Sequence, residues 1–238
     1  TMTSTDQDAG ATATWSIVGG ADASKFAIDA NTGVLTFVSA PDYEAPTDSG
    51  ANNVYDVTVQ VSDGTLTTQK AVAVTVTNVN EAPVITSATS FTTNENGTAV
   101  STMTASDVDA GTTFAWSITG GADASKFTIN ASTGALTFVS SPDYETPTDS
   151  GANNVYDLTI TVSDGSLTAS QNVAVTVANI NDAPVITSAA TFNAAENGTA
   201  VATMTSTDQD AGATATWSIV GGADASKFTI DANTGVLT

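Results

Sequence analysis

The sequence contains no cysteine, no histidine and no arginine, and its 4 basic residues face 25 Asp and Glu residues. Without cysteine there is no disulfide and no thiolate metal site, and without histidine there is no imidazole base to activate a nucleophile. The formal net charge of −21 excludes nucleic acid as a natural partner, because nothing here can neutralise phosphates. No apolar run approaches the roughly 18 residues of a membrane span.

What the chain does have is a long internal repeat. Trp15, Trp116 and Trp217 recur 101 residues apart in near-identical surroundings, and GGADASKF begins at Gly19 and again at Gly120 and Gly221 in the same register. A period near 100 is too long for a solenoid unit and matches a domain with its own core. We therefore predict a repeat lacking its first strand over 1–81, a complete repeat over 82–182 and the N-terminal half of a third over 183–238. We expect further sequence or a neighbouring copy to complete both end repeats.

The apolar residues of the complete repeat follow the period of two that is typical of half-buried strands. Turn residues such as Gly, Asn and Asp separate the segments, and no helical period appears. The pattern predicts seven strands, over 84–91, 98–105, 113–119, 126–130, 135–140, 155–162 and 173–177. Seven short antiparallel strands in about 100 residues favour an all-β, immunoglobulin-like sandwich. We expect its core to contain Trp116, Phe127, Phe138 and Tyr156.

Most acidic residues fall in short motifs that recur with the repeat. In the complete copy these are ENG with Glu95, DVD with Asp107 and Asp109, PDYE with Asp143 and Glu145, VSDG with Asp164, and a linker with Asn179, Asn181 and Asp182. Because each motif follows a strand, the carboxylates can converge at the poles of a sandwich. Calcium takes six to eight such oxygen ligands. Isolated acids such as Asp123 are expected on a solvated surface, and Asp48 and Asp149 in DSGANN fit either a turn or a cation site.

These motifs, in this order, resemble the cadherin family in its bacterial cadherin-like form. They read TNENG, STDQDAG, FAIDANTGVL, PDYE, VSDG and NVNEAP here. The resemblance implies tandem cadherin-like sandwiches in a linear array, with Ca²⁺ bound between successive domains. The ligands it implies at the first junction are Asp42, Glu44, Asn78, Asn80, Glu81, Asp107, Asp109 and Asp164. Those it implies at the second are Glu95, Asp143, Glu145, Asn179, Asn181, Asp182, Asp208 and Asp210.

The linker departs from the family pattern in two ways. It opens with Asn78 or Asn179 where the family usually has Asp, and it is one residue shorter before Ala-Pro. Three ions per junction, as in the family, and two ions therefore both stay open.

The resemblance favours a calcium-rigidified extender or filament-forming segment of a large extracellular or cell-surface protein. Its partners would be neighbouring repeats of the same chain and, in a filament or homophilic contact, copies of itself. The alternative is an adhesion module whose repeats bind polysaccharide or one another. An enzyme is not expected, because the closest carboxylate pair, Asp143 and Glu145, recurs as Asp42 and Glu44. Such recurrence is typical of structure rather than catalysis.

Overall fold

The computed structural model describes residues 1–8 and 10–238 and consists largely of short β-strands. In chain order the strands are β1 Thr14–Gly19, β2 Phe26–Ile28, β3 Leu35–Phe37, β4 Val54–Ser62, β5 Thr67–Thr75, β6 Val84–Ile85, β7 Ser90–Asn94, β8 Ala99–Thr102, β9 Ala105–Ser106, β10 Ala115–Gly120, β11 Phe127–Ile129, β12 Ala135–Phe138, β13 Val155–Ser163, β14 Thr168–Ala178, β15 Val185–Ile186, β16 Ala202–Thr203, β17 Ser206–Thr207 and β18 Val236–Leu237. One-turn 3-10 helices span Ala23–Lys25, Ala124–Lys126 and Ala225–Lys227. In the described part of the chain, no helix is long and apolar enough to cross a bilayer.

The residues divide into two compact units. The first comprises Thr1–Val84 with Ser106–Thr113 and Asp164–Leu167, and the second comprises Ile85–Ala105, Phe114–Ser163 and Thr168–Thr238. In the first unit, β4 lies between β1 and β5 in an antiparallel sheet, and β2 pairs with β3. Alternate residues of β4 point inward, because successive side chains of a strand face opposite sides. The core is built from Phe26, Tyr55, Val57 and Val59.

In the second unit, a four-stranded sheet has the order β10-β13-β14-β7, and a three-stranded sheet has the order β11-β12-β8. Along β13 the period of two buries Tyr156, Leu158, Ile160 and Val162. Trp116, Phe127 and Phe138 are also buried in this core, so all four aromatic core residues expected from the sequence are confirmed. The rings of Phe138 and Tyr156 meet edge to face at 5.1 Å, an arrangement that aromatic pairs favour.

Two predicted strands are each divided in the structure. The segment 84–91 forms β6, which pairs with β9, and β7, which joins the main sheet; the segment 98–105 likewise forms β8 and the beginning of β9. The seven-strand antiparallel prediction was wrong for β7, which pairs parallel to β14. The Ser87 hydroxyl accepts a hydrogen bond from the Thr104 N–H at 2.6 Å beside the break. Period-two patterning identifies extended backbone but not the strand it pairs with.

The prediction that Asp123 lies on a solvated surface was also wrong. Asp123 is only 3% exposed. Its carboxylate accepts the Ser150 N–H at 2.7 Å and the Asp157 N–H at 2.8 Å. Asp22 makes the same pair of bonds in the first unit, to Ser49 and Asp56. These buried carboxylates connect the 3-10 turn to the DSGANN loop and the long central strand.

Candidate metal centres

Two groups of three carboxylates come together among the residues that the structure describes. Cluster I consists of Glu44, Glu81 and Asp109, and cluster II of Glu95, Asp143 and Glu145. Within each cluster, one oxygen from every residue lies within 4.8 Å of the others. All of cluster I belongs to the first compact unit and all of cluster II to the second.

Asp109 is the centre of the hydrogen bonds around cluster I. Its Oδ1 accepts the Asn78 side-chain amide at 2.7 Å, and its Oδ2 accepts the Glu81 N–H at 3.0 Å. Its own N–H donates to Asp107 Oδ1 at 3.0 Å. The linker residues and the DVD turn are therefore fixed to one another through a single carboxylate.

The remaining residues that the sequence assigned to the first junction lie around this centre. Asp42 Oδ1 accepts the Glu44 N–H at 3.0 Å, which forms the PDYE turn. The Asn80 amide donates to Asp164 Oδ2 at 2.8 Å and to the Glu81 carbonyl at 2.9 Å. Every predicted residue of this junction thus takes part in the cluster or in a hydrogen bond next to it.

The electrostatics of cluster I are those of crowded negative charge. Burial raises the pKa of the Glu81 carboxyl, and the neighbouring carboxylates of Glu44 and Asp109 raise it further. The opposite holds for Asp164, whose pKa is lowered by the Asn80 amide and by the N–H groups of Leu167 and Ser166. Asp107 Oδ2 is buried and has no hydrogen-bond partner in the described structure. A buried, unpaired carboxylate oxygen is costly unless a cation satisfies it.

Cluster II is organised around Glu95, which is 2% exposed. Its Oε1 accepts the Ile180 N–H and its Oε2 accepts the Tyr144 N–H, both at 2.8 Å. A carboxylate that bonds backbone N–H groups with both oxygens is held in one orientation. Glu95 therefore connects the linker to the PDYE turn, in which Asp143 Oδ1 accepts the Glu145 N–H at 3.0 Å.

The linker and the DQD turn of the third repeat complete cluster II. The Asn179 amide donates to Glu145 Oε1 at 2.9 Å. The Asp182 N–H donates to Asp210 Oδ2 at 2.6 Å, and the Asp210 N–H donates to Asp208 Oδ1 at 3.0 Å. The Asn181 amide bonds the Asp182 carbonyl at 2.8 Å, as Asn80 bonds Glu81 in cluster I. The same linker geometry therefore occurs twice.

Glu145 is the acid of cluster II whose pKa is raised, as Glu81 is in cluster I. Burial raises the pKa of the Glu145 carboxyl, and the nearby carboxylates of Glu95, Asp210 and Asp182 act in the same direction. Its Oε2 is buried without a hydrogen-bond partner in the described part of the chain. Each cluster thus contains an acid with a raised pKa, and an unpaired buried carboxylate oxygen lies within cluster II on Glu145 and next to cluster I on Asp107.

Sequence reasoning missed three polar residues near cluster II. The Gln209 amide donates to Asp143 Oδ2 at 3.2 Å, and the Asn96 amide donates to Asp182 Oδ1 at 3.3 Å. The Asn154 amide donates to the Tyr144 carbonyl at 2.8 Å. Gln209 and Asn96 lie inside the DQD and ENG motifs, so their position was a usable signal. Asn154 lies ten residues from its partner, and nothing in the sequence indicated this contact.

The sequence is compatible with either a turn or a cation site at the DSGANN loop, and the structure shows the hydrogen bonds of a turn. Asp149 Oδ2 accepts the N–H groups of Gly151 and Asn153, and its Oδ1 accepts that of Asn154, all at 3.0 Å. Burial would raise the pKa of the Asp149 carboxyl, but these N–H donors outweigh it and the pKa is lowered. With three N–H donors on its two oxygens, this carboxylate is already satisfied.

Carboxylates, side-chain amides and backbone carbonyls are the ligands of a hard divalent cation such as calcium. The residues present fit such an ion, because each cluster offers several anionic oxygens. A buried carboxylate oxygen without a hydrogen-bond partner in the described structure lies in cluster II on Glu145, and another lies on Asp107, which bonds to Asp109 of cluster I. An amide nitrogen is not a calcium ligand, so Asn78 and Asn179 would turn their oxygens toward a bound ion. When bound, calcium would supply positive charge and shared coordination to segments that now repel one another.

Residues 89–180 match the cadherin domain family model. Among curated relatives, human Protocadherin Fat 4 is 33% identical over an aligned length of 233, gaps included, and the alignment covers 90% of this chain and 4% of the relative. Mouse Cadherin EGF LAG seven-pass G-type receptor 2 is 30% identical over an aligned length of 256, gaps included, and the alignment covers 98% of this chain and 8% of the relative. The chain therefore spans a small fraction of the curated relatives it matches.

Solved structures show the same architecture. Mouse Cadherin-23 EC22-24 superposes with a TM-score of 0.58 at 24% identity, covering 98% of this chain and 77% of that one. These repeats are cadherin-like β-sandwiches. Human Protocadherin-24 EC1-2 has a TM-score of 0.53 at 26% identity, covering 74% of this chain and 85% of that one. The fold expected from the sequence is confirmed; the bacterial form of the family, the domain boundaries and the ligand assignments stay predictions.

Proposed function

We propose that this chain is a spacer segment of an extracellular protein, in which calcium bound at clusters I and II fixes successive cadherin-like repeats to one another. One observation carries the proposal: cluster I brings together Glu44 of one repeat, Glu81 of the linker and Asp109 of the next repeat. Around cluster II, the linker bonds to both repeats, through the Asn179 amide to Glu145 and through the Asp182 N–H to Asp210. The matches to cadherin domains support an extracellular or cell-surface location and a role in adhesion or extension. A source in a bacterial surface protein remains part of the proposal.

Calcium would act here by changing the sign of the force between segments. Without it, the Glu44, Glu81 and Asp109 carboxylates repel one another at close range. With it, the same oxygens share an ion, so occupancy and the relative arrangement of the segments become coupled. Screening by ordinary salt weakens the repulsion but does not supply coordination. The chain would therefore be flexible in chelator and stiff in calcium.

The test is a calcium titration of the full chain by isothermal calorimetry, with thermal melting in calcium and in chelator. We expect saturable binding and a higher melting temperature in calcium. The double variant Glu44→Gln, Glu145→Gln removes one charge from each cluster and should lose most of the binding. Asp157→Asn is the matched control, because this exposed acid of β13 lies outside both clusters. Equal binding by the two variants, or none by the wild-type chain, would contradict the proposal.

Self-association, the filament or homophilic contact expected from the sequence, stays a prediction. Sedimentation velocity of the full chain across a concentration series tests self-association. Association that increases with concentration would support it, and monomers at every concentration would rule it out. No observation in the described part of the structure supports polysaccharide binding, the other alternative from the sequence.

A further inference from the structure

The PDYE turn of the second unit is held on both sides of its central residue, Tyr144, through the N–H of one peptide group and the carbonyl of the next. The Tyr144 N–H donates to Glu95 Oε2 at 2.8 Å, and the Tyr144 carbonyl accepts the Asn154 amide at 2.8 Å. Tyr144 lies directly between Asp143 and Glu145, two of the three acids of cluster II. Its orientation therefore sets where both carboxylates point.

Asn154 is itself fixed by the DSGANN loop. It is 9% exposed, has a backbone φ of +61°, and donates its N–H to Asp149 Oδ1 at 3.0 Å. Asparagine adopts this left-handed region more readily than most residues. Asp149 also binds two further N–H groups of the loop. The side-chain amide is thus presented by a rigid turn that is not itself part of the cluster.

The first unit repeats the arrangement. Asn53 has a φ of +63°, donates its N–H to Asp48 Oδ1 at 3.0 Å, and donates its amide to the Tyr43 carbonyl at 2.8 Å. Tyr43 lies between Asp42 and Glu44, as Tyr144 lies between Asp143 and Glu145. Agreement at both copies indicates a device of the repeat rather than an accident of one loop.

We infer that Asn53 and Asn154 are positioning residues for cation binding, and that the DSGANN loop exists to orient the PDYE carboxylates. This inference rests on the proposed calcium function. Without the amide, the tyrosine carbonyl is released and calcium must order the turn as it binds, which weakens affinity. Loss of residues that orient metal ligands typically costs about 10–100-fold in affinity, so we expect an increase of about tenfold or more in the Kd for calcium.

The test compares Asn53→Gly, Asn154→Gly with Asn197→Gly in the full chain. Glycine keeps the positive φ and removes only the side chain. Asn197 is an exposed asparagine of the third repeat with a φ of +63°, so its replacement has the same effect on the unfolded chain as each of the other two replacements. Calcium titration gives the Kd, and melting in chelator gives the stability that does not depend on calcium. The single variant Asn154→Gly provides the same comparison at one cluster if the double variant does not fold.

We expect a higher Kd for calcium in the Asn53→Gly, Asn154→Gly variant and an unchanged Kd in Asn197→Gly. A variant that melts earlier in chelator but binds calcium with the wild-type Kd would overturn the inference and leave the loop a purely structural turn. Wild-type protein that binds no calcium would overturn the proposed function as well. The two failures are therefore distinguishable.

Discussion

Replacing Glu95 by glutamine separates the structural role of this residue from any role in cation binding. Glu95 is 2% exposed, and its two oxygens accept the N–H groups of Ile180 and Tyr144 at 2.8 Å. Glutamine keeps one acceptor oxygen but places an NH₂ group against the other backbone N–H. One buried hydrogen bond to a charged group is lost, and the backbone N–H and the new NH₂ group are both left without an acceptor.

A hydrogen bond to a charged group contributes about 1.5–3 kcal/mol net, so Glu95→Gln should cost about 2 kcal/mol in chelator. For a domain of about 100 residues, each kcal/mol shifts the melting temperature by about 4–8 °C, which predicts a decrease of about 8–16 °C. Removing one charge from cluster II acts in the opposite direction by relieving repulsion with Asp143 and Glu145. We expect the hydrogen bonds to dominate, because they are short and sheltered from water.

The assay is thermal melting by circular dichroism in chelator, with Glu196→Gln as the matched control. Glu196 is the equivalent glutamate of the third repeat and is exposed. The control should melt within about a degree or two of wild type, since exposed substitutions usually change stability by less than about 0.5 kcal/mol. If Glu95→Gln melts at the wild-type temperature or above it in chelator, repulsion outweighs the hydrogen bonds and the reasoning is refuted.

Two further predictions follow from pKa values and backbone geometry. In chelator, acidification should first stabilise the fold: the raised pKa values of Glu81 and Glu145 mean that the folded state binds protons before the unfolded state, whose glutamates titrate near 4.5. Below about pH 3.8, further acidification should destabilise the fold, because the carboxyl of Asp149, whose pKa is lowered in the folded state, becomes protonated and its contribution to stability is lost. The urea midpoint plotted against pH should therefore pass through a maximum. A monotonic fall in the midpoint from pH 7 downward would contradict this. Gly121→Ala should lower the free energy of unfolding by about 3 kcal/mol or more, because a Cβ there would lie 2.2 Å from Leu158 Cα at a φ of +104°. Gly165→Ala is the control, because Gly165 has a φ of +103° but open space around the position of the Cβ. Equal melting temperatures of the two variants would refute the packing argument.

Repeat length, strand patterning and the aromatic core could all be derived from the sequence. They depend on local chemistry: alternation along β13 buries Tyr156 and Leu158 because side chains of a strand alternate in direction. The division of the segment 84–91 and its strand pairing could not be derived in this way. The division into β6 and β7, and the parallel pairing of β7 with β14, depend on which strand edges remain open once the sandwich has formed.

The candidate site shows the same division between motif and support. Carboxylates such as Glu44 and Asp109 lie in recognisable turns, so their convergence could be anticipated from strand ends. The supporting contacts could not be anticipated, because the Asn154 side chain bonds to Tyr144 only from a left-handed turn whose geometry depends on Asp149. Asp123 was misplaced for a related reason, since an isolated acid in the sequence gives no sign of the buried N–H groups it will bind.

Small-angle scattering of the full chain in calcium and in chelator tests the central claim most directly, with the double variant Glu44→Gln, Glu145→Gln measured beside it. We predict that calcium increases the maximum dimension of the wild-type chain and narrows its distance distribution, while the variant gives the chelator profile in both buffers. Identical wild-type profiles with and without calcium would contradict the claim that the ion fixes successive repeats to one another.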